Sequence, residues 1–566
     1  MIGVIANPAD DAVVSEFFQL FKTPWEFYRN DRQYDAVLCT TNTMCDGAVA
    51  KLILMYSGHE HPYDTEEKME IAAHRNNATL LYNGTRIPIY GSSVSFRQQG
   101  TVALVDEEGQ QVAIHRRQSG GRVTMRIGYD LFSEIRSLLT TGQPVVHAGT
   151  PTLELHIAVL RDLIVSNGIR LVEIPPVPDG YKFIACLTHD VDHPSIRSHG
   201  FDHTTIGFLY RATIGSLGDF LRGRIRLRTV LMTWAAAIKL PFVHIGLAKD
   251  FWLDFDDRYL ELEKGLRSTF FVIPFEDNPG SNSQGLAPKF RAARYGARDI
   301  ADSIQKVAAA GCEVGLHGID AWLDSSRGHE ELEEIRRVTG ASDIGVRMHW
   351  LYFDQQSPVA LEEAGADYDS TIGYNETAGY RAGTAQAYKP LQAARLLELP
   401  LHVMDTALFY PSHLGLSQGQ ATTALNQLVD NAVRFGGCLT INWHDRSLAP
   451  ERLWDDCYRA FIQELKSRGA WFATTGQGTS WFRKRRSVVF ETDRGEPGAL
   501  ARVLAEHCDN VPGLRLRVHE GRDSRNGAQA SEGYVDAAFE KSIDACWKRG
   551  APVATPVQFP ASLGAH

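Results

Sequence analysis

The run Thr188-His189-Asp190-Val191-Asp192-His193 places two carboxylates two residues apart at the end of an apolar segment, Phe183 to Leu187. In a strand, residues i and i+2 share a face, so Asp190 and Asp192 leave its tip on the same side. Neighbouring carboxylates repel unless a cation sits between them or one is protonated. The pair is therefore a candidate metal site with an adjoining general base. Histidines stand at three further strand-like ends: His317 after Glu313-Val314-Gly315-Leu316, His349 after Gly345-Val346-Arg347-Met348, and His444 after Leu439-Thr440-Ile441-Asn442-Trp443. One histidine in such a place is more often a structural hydrogen-bonder, but three together with the acid pair point to metal and acid/base chemistry.

These side chains need a scaffold that delivers separate strand ends to one face. From about 180 to 480 the pattern supplies it. Short buried strands (Phe183–Leu187, Ser268–Ile273, Glu313–Leu316, Ile344–Met348, Leu396–Leu399, Leu439–Trp443, Trp471–Thr474) alternate with helical stretches such as Ala301–Ala310 and Pro450–Arg468. Repeated strand-helix units build a parallel sheet, open or closed into a barrel, with catalytic groups beyond its C-terminal strand ends. Residues 1–175 read as a separate α/β domain with a helix from Thr152 to Val165, ended by Ile174-Pro175-Pro176-Val177-Pro178. Residues 487–566 read as strand, helix, strand, polar loop and helix, a small appended α/β module, with Arg483-Lys484-Arg485-Arg486 as a solvated hinge before it.

Composition narrows the function class. A net charge of −10 argues against a general nucleic-acid binder. The eight cysteines form no CxxC pair, so they read as buried free thiols rather than a zinc ribbon or disulfide framework. The N-terminus Met1-Ile2-Gly3-Val4-Ile5-Ala6 has neither a basic n-region nor a long apolar core and reads as a first strand, so a cytoplasmic location is expected. Val230 to Ile238 is too short to span a bilayer. Arg222-Gly223-Arg224-Ile225-Arg226-Leu227-Arg228 beside it makes residues 222–246 a candidate for peripheral contact with an anionic inner membrane face, against the plainer reading of an ordinary helical insert. No feature indicates an oligomeric state.

With these residues in hand, residues 180–480 resemble the polysaccharide deacetylase family, also called the NodB-homology or carbohydrate esterase family 4 group. The resemblance implies an α/β fold, a distorted (β/α) barrel, and removal of acetyl groups from N-acetylated sugars with a divalent metal, zinc or else nickel, cobalt or iron. The family's first motif, commonly Thr-Phe-Asp-Asp, corresponds to Thr188-His189-Asp190-Val191-Asp192, with the acids split by one residue as in its allantoinase-like branch. Carried over, Asp190 is the base and Asp192 a metal ligand. The second motif, His-Ser/Thr-x-x-His, appears as His317-Gly318-Ile319-Asp320-Ala321 and lacks its second histidine, so the third ligand falls to His349 or to Asp320. Arg347 matches the arginine that holds the base ionised. Tyr368-Asp369-Ser370-Thr371-Ile372-Gly373-Tyr374 and Gly379-Tyr380-Arg381-Ala382-Gly383-Thr384 resemble substrate-side loops, in which Arg381 binds an anionic substituent or pairs with Asp369. The final motif gives His444 as general acid, oriented by Asp405 or Asp369, with Trp443 on the substrate side.

The expected function is a metal-dependent hydrolase that deacetylates a glycan or its lipid-linked or nucleotide-linked precursor. The rivals are a hydrolase of a non-sugar amide and a catalytically silent glycan-binding barrel.

Overall fold

The computed structural model describes residues 1–42, 47–98, 102–117, 121–223, 225–282, 284–491, 498–504, 510–522, 533–546 and 554–556. The chain divides into two compact units, one of residues 1–180, 382–384 and 480–566, the other of residues 181–381 and 385–479.

The second unit carries the site-like residues. Its parallel sheet runs, edge to edge, through Leu397–Glu398, Tyr368–Asp369, Val346–Met348, Glu313–Gly318, Ser268–Val272, Phe183–Val191, Cys438–Asn442 and Leu401–Met404, with Ala470–Phe472 also paired to Phe183–Val191. The two edge strands are consecutive in the chain, separated only by Leu399 and Pro400. Two residues span roughly 7 Å, so the sheet must curl until its edges meet, which gives the barrel-like closure expected from the strand-helix repeats. Helices that cross between strands bury an apolar face against the sheet. Asp455–Ser467, for instance, buries Cys457, Tyr458, Phe461, Ile462 and Leu465. The central strand Phe183–Val191 is buried along its whole length, as a strand covered on both faces requires.

The first unit holds a six-stranded sheet in the order Ala113–Arg117, Val123–Ile127, Ala50–Tyr56, Tyr34–Cys39, Ile2–Ile5, Trp25–Phe27, parallel except at its first pair. The helix expected from Thr152 runs Thr152–Ser166. The described residues after 487 are strands, not an α/β module: Leu514–His519 pairs with Leu171–Glu173 on one side and Tyr534–Phe539 on the other. Alternation of Leu514, Leu516 and Val518 with arginines, period two rather than 3.6, is the reason. Nor is the basic run a solvated hinge. Arg485 is buried and donates to the carbonyls of Ile174, Gln19 and Leu20 at 2.9, 3.1 and 2.8 Å, and Arg486 pairs with Glu16 at 2.7 Å. Cys186, Cys312, Cys438 and Cys457 are free thiols as expected, but Cys39 is disulfide-bonded; Cys45 lies outside the described residues. No helix among the described residues is long and apolar enough to cross a membrane.

Gly345 begins the strand that carries Arg347 and His349, and a Cβ there would fall inside the Tyr368 ring. Tyr368 cannot yield, because its hydroxyl donates to Glu313 Oε1 at 2.7 Å and also bonds Thr475. Gly345→Ala is expected to lower stability by about 1–3 kcal/mol, read as a lower urea midpoint with an unchanged slope.

Candidate active site

Asp190, Asp192, His317, His349 and His444 line one cavity of about 510 Å³ at the C-terminal ends of the strands. Asp190 closes the Phe183–Val191 strand and Asp192 follows it, so strand alternation turns both carboxylates to the same side as the sequence spacing requires. His317 lies in the Glu313–Gly318 strand, whose parallel register sets it opposite Arg347. His349 therefore emerges just beyond the end of the neighbouring strand. The chain then turns through Trp350 and Leu351, both left-handed with φ of 63° and 53°. Such a conformation costs non-glycine residues about 1–2 kcal/mol each, and strain of this kind collects where a side chain must be aimed.

The two imidazoles have fixed tautomers. His317 Nδ1 lies 3.0 Å from the Arg347 carbonyl and His349 Nε2 3.2 Å from the Arg291 carbonyl. A carbonyl only accepts, so both outer nitrogens carry a proton, and in the neutral ring the inner nitrogen is the one left with a lone pair. Those inner atoms, His317 Nε2 and His349 Nδ1, are 3.0 Å apart. Asp192 Oδ1 stands 3.3 Å from the first and 3.4 Å from the second, buried and with no hydrogen-bond donor. Burial also holds His349 down to about pKa 4, against the opposing pull of Asp192 and with a further lowering push from His317, so the ring stays neutral at pH 7. Three possible ligand atoms thus converge on one point, and with both rings neutral they would present three electron pairs to a cation. Outer N–H groups given to carbonyls are the usual support for metal-bound histidines. Two nitrogens and one carboxylate suit a zinc-type divalent ion with an open position. These are the described residues whose ligand atoms group closely enough to hold a metal.

Opposite this trio stands His444. Its Nδ1 is 2.6 Å from Asp405 Oδ1, its backbone N–H donates to Asp405 Oδ2 at 2.7 Å, and its Nε2 faces Asp192 Oδ2 at 3.8 Å. Burial would lower its pKa, but Asp405 first, then Asp192 and Asp190, raise it to about 10, which keeps the imidazole protonated at neutral pH. Asp192 is held well below the usual carboxylate range: burial works to raise it and the facing imidazoles, His349 foremost, outweigh that.

Asp190 is clamped. Oδ1 accepts from Arg347 at 3.0 Å and Oδ2 from the Asn442 amide at 2.7 Å, while the Asn442 side-chain oxygen accepts the Asp190 N–H at 3.1 Å. Arg347 is itself locked by Thr188 Oγ1 at 2.6 Å, the Ser370 carbonyl and hydroxyl at 3.0 Å each, and the Phe271 ring beneath it.

Three residues expected near substrate lie elsewhere. Trp443 is fully buried and stacks on Tyr458, centroids 4.9 Å apart, because Asn442 before it turns toward Asp190 and alternation sends the indole to the core. Asp369 is buried with Thr371 and Glu398, and burial raises it to about 6. Arg381 donates to the Gly373 carbonyl at 2.9 Å and pairs with no carboxylate among the described residues, which removes the Asp369 pairing. Asp320, the alternative third ligand, takes Arg327 at 2.9 Å and the Ser281 N–H at 2.7 Å, outside the cavity. His193, weighed from the sequence as a replacement ligand against a loop-packing role, lines the cavity with its Nδ1 3.1 Å from His199 Nε2, and the sequence reading missed Tyr410, Arg446 and Arg452, which line it too. Adjacency to Asp192 was a signal for His193, and His444-Asp445-Arg446 one for Arg446. Tyr410 carried none.

The chain matches no protein family model and no curated protein. Among solved structures it overlaps a putative polysaccharide deacetylase from Mycobacterium smegmatis, with 18% identity, 57% of this chain and 100% of that one covered, and a TM-score of 0.34. A probable polysaccharide deacetylase from Pseudomonas aeruginosa PAO1 overlaps with 15% identity, 55% and 94% coverage, and a TM-score of 0.35. The peptidoglycan deacetylase PdaC from Bacillus subtilis does so with 12% identity, 55% and 94% coverage, and a TM-score of 0.24. Overlap at this level leaves the chemistry of the site to its own geometry.

The protein is expected to bind one zinc ion per chain by calorimetry. Asp192→Asn, His317→Ala and His349→Ala should each weaken it by more than the roughly 10–100-fold that loss of an outer-shell partner costs. Asp320→Asn should leave it within error.

Proposed function

We propose that this protein is a metal-dependent hydrolase that removes N-acetyl groups, or O-acetyl groups, from a glycan or glycan precursor. The observation that carries the reading is the convergence of Asp192, His317 and His349 on one point, with a protonated His444 facing Asp192 and Asp190 clamped by Arg347 and Asn442 beside His317. A zinc-type ion held by the trio would supply polarisation of the acyl carbonyl and acidify a water molecule. Asp190, held in place by Arg347 and Asn442, accepts the proton that the attacking water loses. His444, charged by Asp405, delivers a proton to the departing nitrogen as the C–N bond breaks. An amine leaves poorly without that proton, which accounts for an imidazolium opposite the carboxylate. The products are acetate and a free amino sugar. Arg347 and Asp405 touch no reacting atom; they position and charge the two groups that do.

Acetate release from acetylated chito-oligosaccharides by the zinc-loaded protein tests the reading, with a non-sugar amide such as allantoin as the competing substrate. Exhaustive chelation should abolish release and added zinc restore it; activity that survives chelation overturns the proposal. Asp190→Asn and His444→Ala are each expected to cost about 10²–10⁴-fold in kcat.

The pH profile gives a separate check on His444. Because the acid must be protonated, activity should fall as pH rises through its pKa. Asp405→Asn removes the negative partner that raises that pKa, so the alkaline limb should move toward neutral pH.

A further inference from the structure

On the His444 side, the cavity wall is finished by Arg446 and Arg452. Both are more than nine-tenths buried, at 9% and 8% exposed. A guanidinium taken out of water is ordinarily matched to a carboxylate or a set of carbonyls. These two are not. The Arg446 side chain donates no hydrogen bond to any described residue; it lies 4.8 Å over the Trp252 ring with Nε buried and unmatched. Arg452 gives one nitrogen to Ser447 Oγ at 3.3 Å and one to the Tyr410 hydroxyl, and its Nε is likewise unmatched. Neither forms an ion pair among the described residues. The nearby carboxylates hydrogen-bond elsewhere: Asp405 to His444 and Ser447, Asp445 to the backbone N–H groups of His193 and Arg446, and one oxygen of Glu451 to the Trp252 indole at 3.2 Å, its other oxygen being buried and unmatched.

We propose that Arg446, supported by Arg452, is an anion subsite, so that the substrate carries a phosphate or carboxylate close to the acylated position. The substrate part of this inference rests on the deacetylase reading; the binding of an oxyanion does not. Planar guanidinium donors fit either oxyanion in a two-pronged geometry, and the free Arg446 fork meets an anion without first breaking a protein contact.

Calorimetry with inorganic phosphate on the metal-free protein tests the subsite without turnover or metal. Wild type should bind, Arg446→Gln should bind about tenfold or more weakly, and Arg446→Lys should fall between them. No phosphate binding by the wild type, or equal binding by Arg446→Gln, overturns the subsite. With acetate release as readout, a phosphorylated, a carboxylated and a neutral N-acetylhexosamine then separate the two sources. Higher kcat/KM for one charged sugar assigns it, and that preference should collapse in Arg446→Gln. Phosphate binding with no acetate release from any of the three would sink the deacetylase reading and leave the subsite standing. Acetate release with no preference between charged and neutral sugars overturns the proposed substrate class.

A second inference comes from the helical insert between the Phe183–Val191 and Ser268–Val272 strands. His203–Tyr210, the π turn Arg211–Gly215 and Ser216–Leu221 run on from one another, and Leu227–His244 follows. The first stretch buries Thr204, Phe208, Ala212 and Ser216, and exposes Ile206, Tyr210, Ile214, Leu217 and Leu221 along the opposite face, at spacings of four, four, three and four. The second buries Val230, Thr233, Ala236, Leu240 and Val243, and exposes Leu227, Leu231, Trp234, Ile238, Phe242 and Ile245 along its opposite face. Leu221 and Ile238 are 76% and 70% exposed. A helix apolar on both faces belongs in an apolar medium on both, and scattered surface leucines do not fall into helical register. Arg222, Arg226, Arg228 and Lys239 are exposed on the same insert, and Asp219, half-buried, lies 3.9 Å from Arg222.

We infer that these two helices lie on an anionic membrane surface, apolar stripes inward and basic residues at the headgroups. Co-sedimentation with phosphatidylcholine vesicles, with and without phosphatidylglycerol, tests it. Binding should require the anionic lipid and weaken with salt. Ile214→Ser/Ile238→Ser, both exposed and remote from the core, should lose it while retaining the wild-type melting temperature. Absence of binding to anionic vesicles overturns the inference, as does a double variant that still binds. A dimer in solution that the same substitutions turn into monomer would assign the stripes to a second copy of the chain instead.

Discussion

Ligand atoms of Asp192, His317 and His349 converge within 3.0 to 3.4 Å at the wall of one cavity. Everything around the cavity is arranged to keep them there. The outer imidazole nitrogens are tied to main-chain carbonyls, so neither ring can rotate away or bring its proton inward. Left alone, such a cluster repels; with a cation it becomes the strongest contact in the unit, so ion binding and stability are linked and the loaded state is favoured by mass action.

That constraint also sets the electrostatics of the two flanking groups. Asp190 and His444 stand on either side of the trio and must hold opposite charge states at one pH. The separation is achieved by their partners. Arg347 and Asn442 surround the carboxylate with donors, and Asp405 holds the imidazole from behind. Each partner comes from a different strand end, so the protonation pattern of the site belongs to the barrel rather than to any one segment. The Arg446 and Arg452 guanidiniums extend the same wall and add positive charge beside the acid, which shapes what can approach it.

Much of the site was legible in the chain. Asp190 and Asp192 follow from an i, i+2 pair at the end of an apolar run, and His317, His349 and His444 from histidines that close other apolar runs. Arg347 and Asp405 were legible through the family resemblance, which assigns one to the base and the other to the acid. Asp369 and Arg381, assigned to substrate from the loops, and Trp443, assigned with the final motif, do not line the cavity. For Trp443 the alternation that aims Asn442 at Asp190 also decides the matter, a consequence the sequence contained but the loop comparison overlooked.

By itself the sequence determined the element types and the faces of each strand, because periodicity and alternation are local properties of the chain. It determined as well that acids and histidines would stand at strand ends. Only the tertiary structure decided that His349, and not Asp320, completes the trio. That choice depends on the register between neighbouring strands, on Arg327 drawing Asp320 away, and on the Arg291 carbonyl fixing a ring from 58 residues off. It also decided that the Arg446 side chain forms no ion pair among the described residues and that residues after 487 share a unit with the first 180. Pairing across such separations is set by packing, and packing leaves no mark on a chain until it folds.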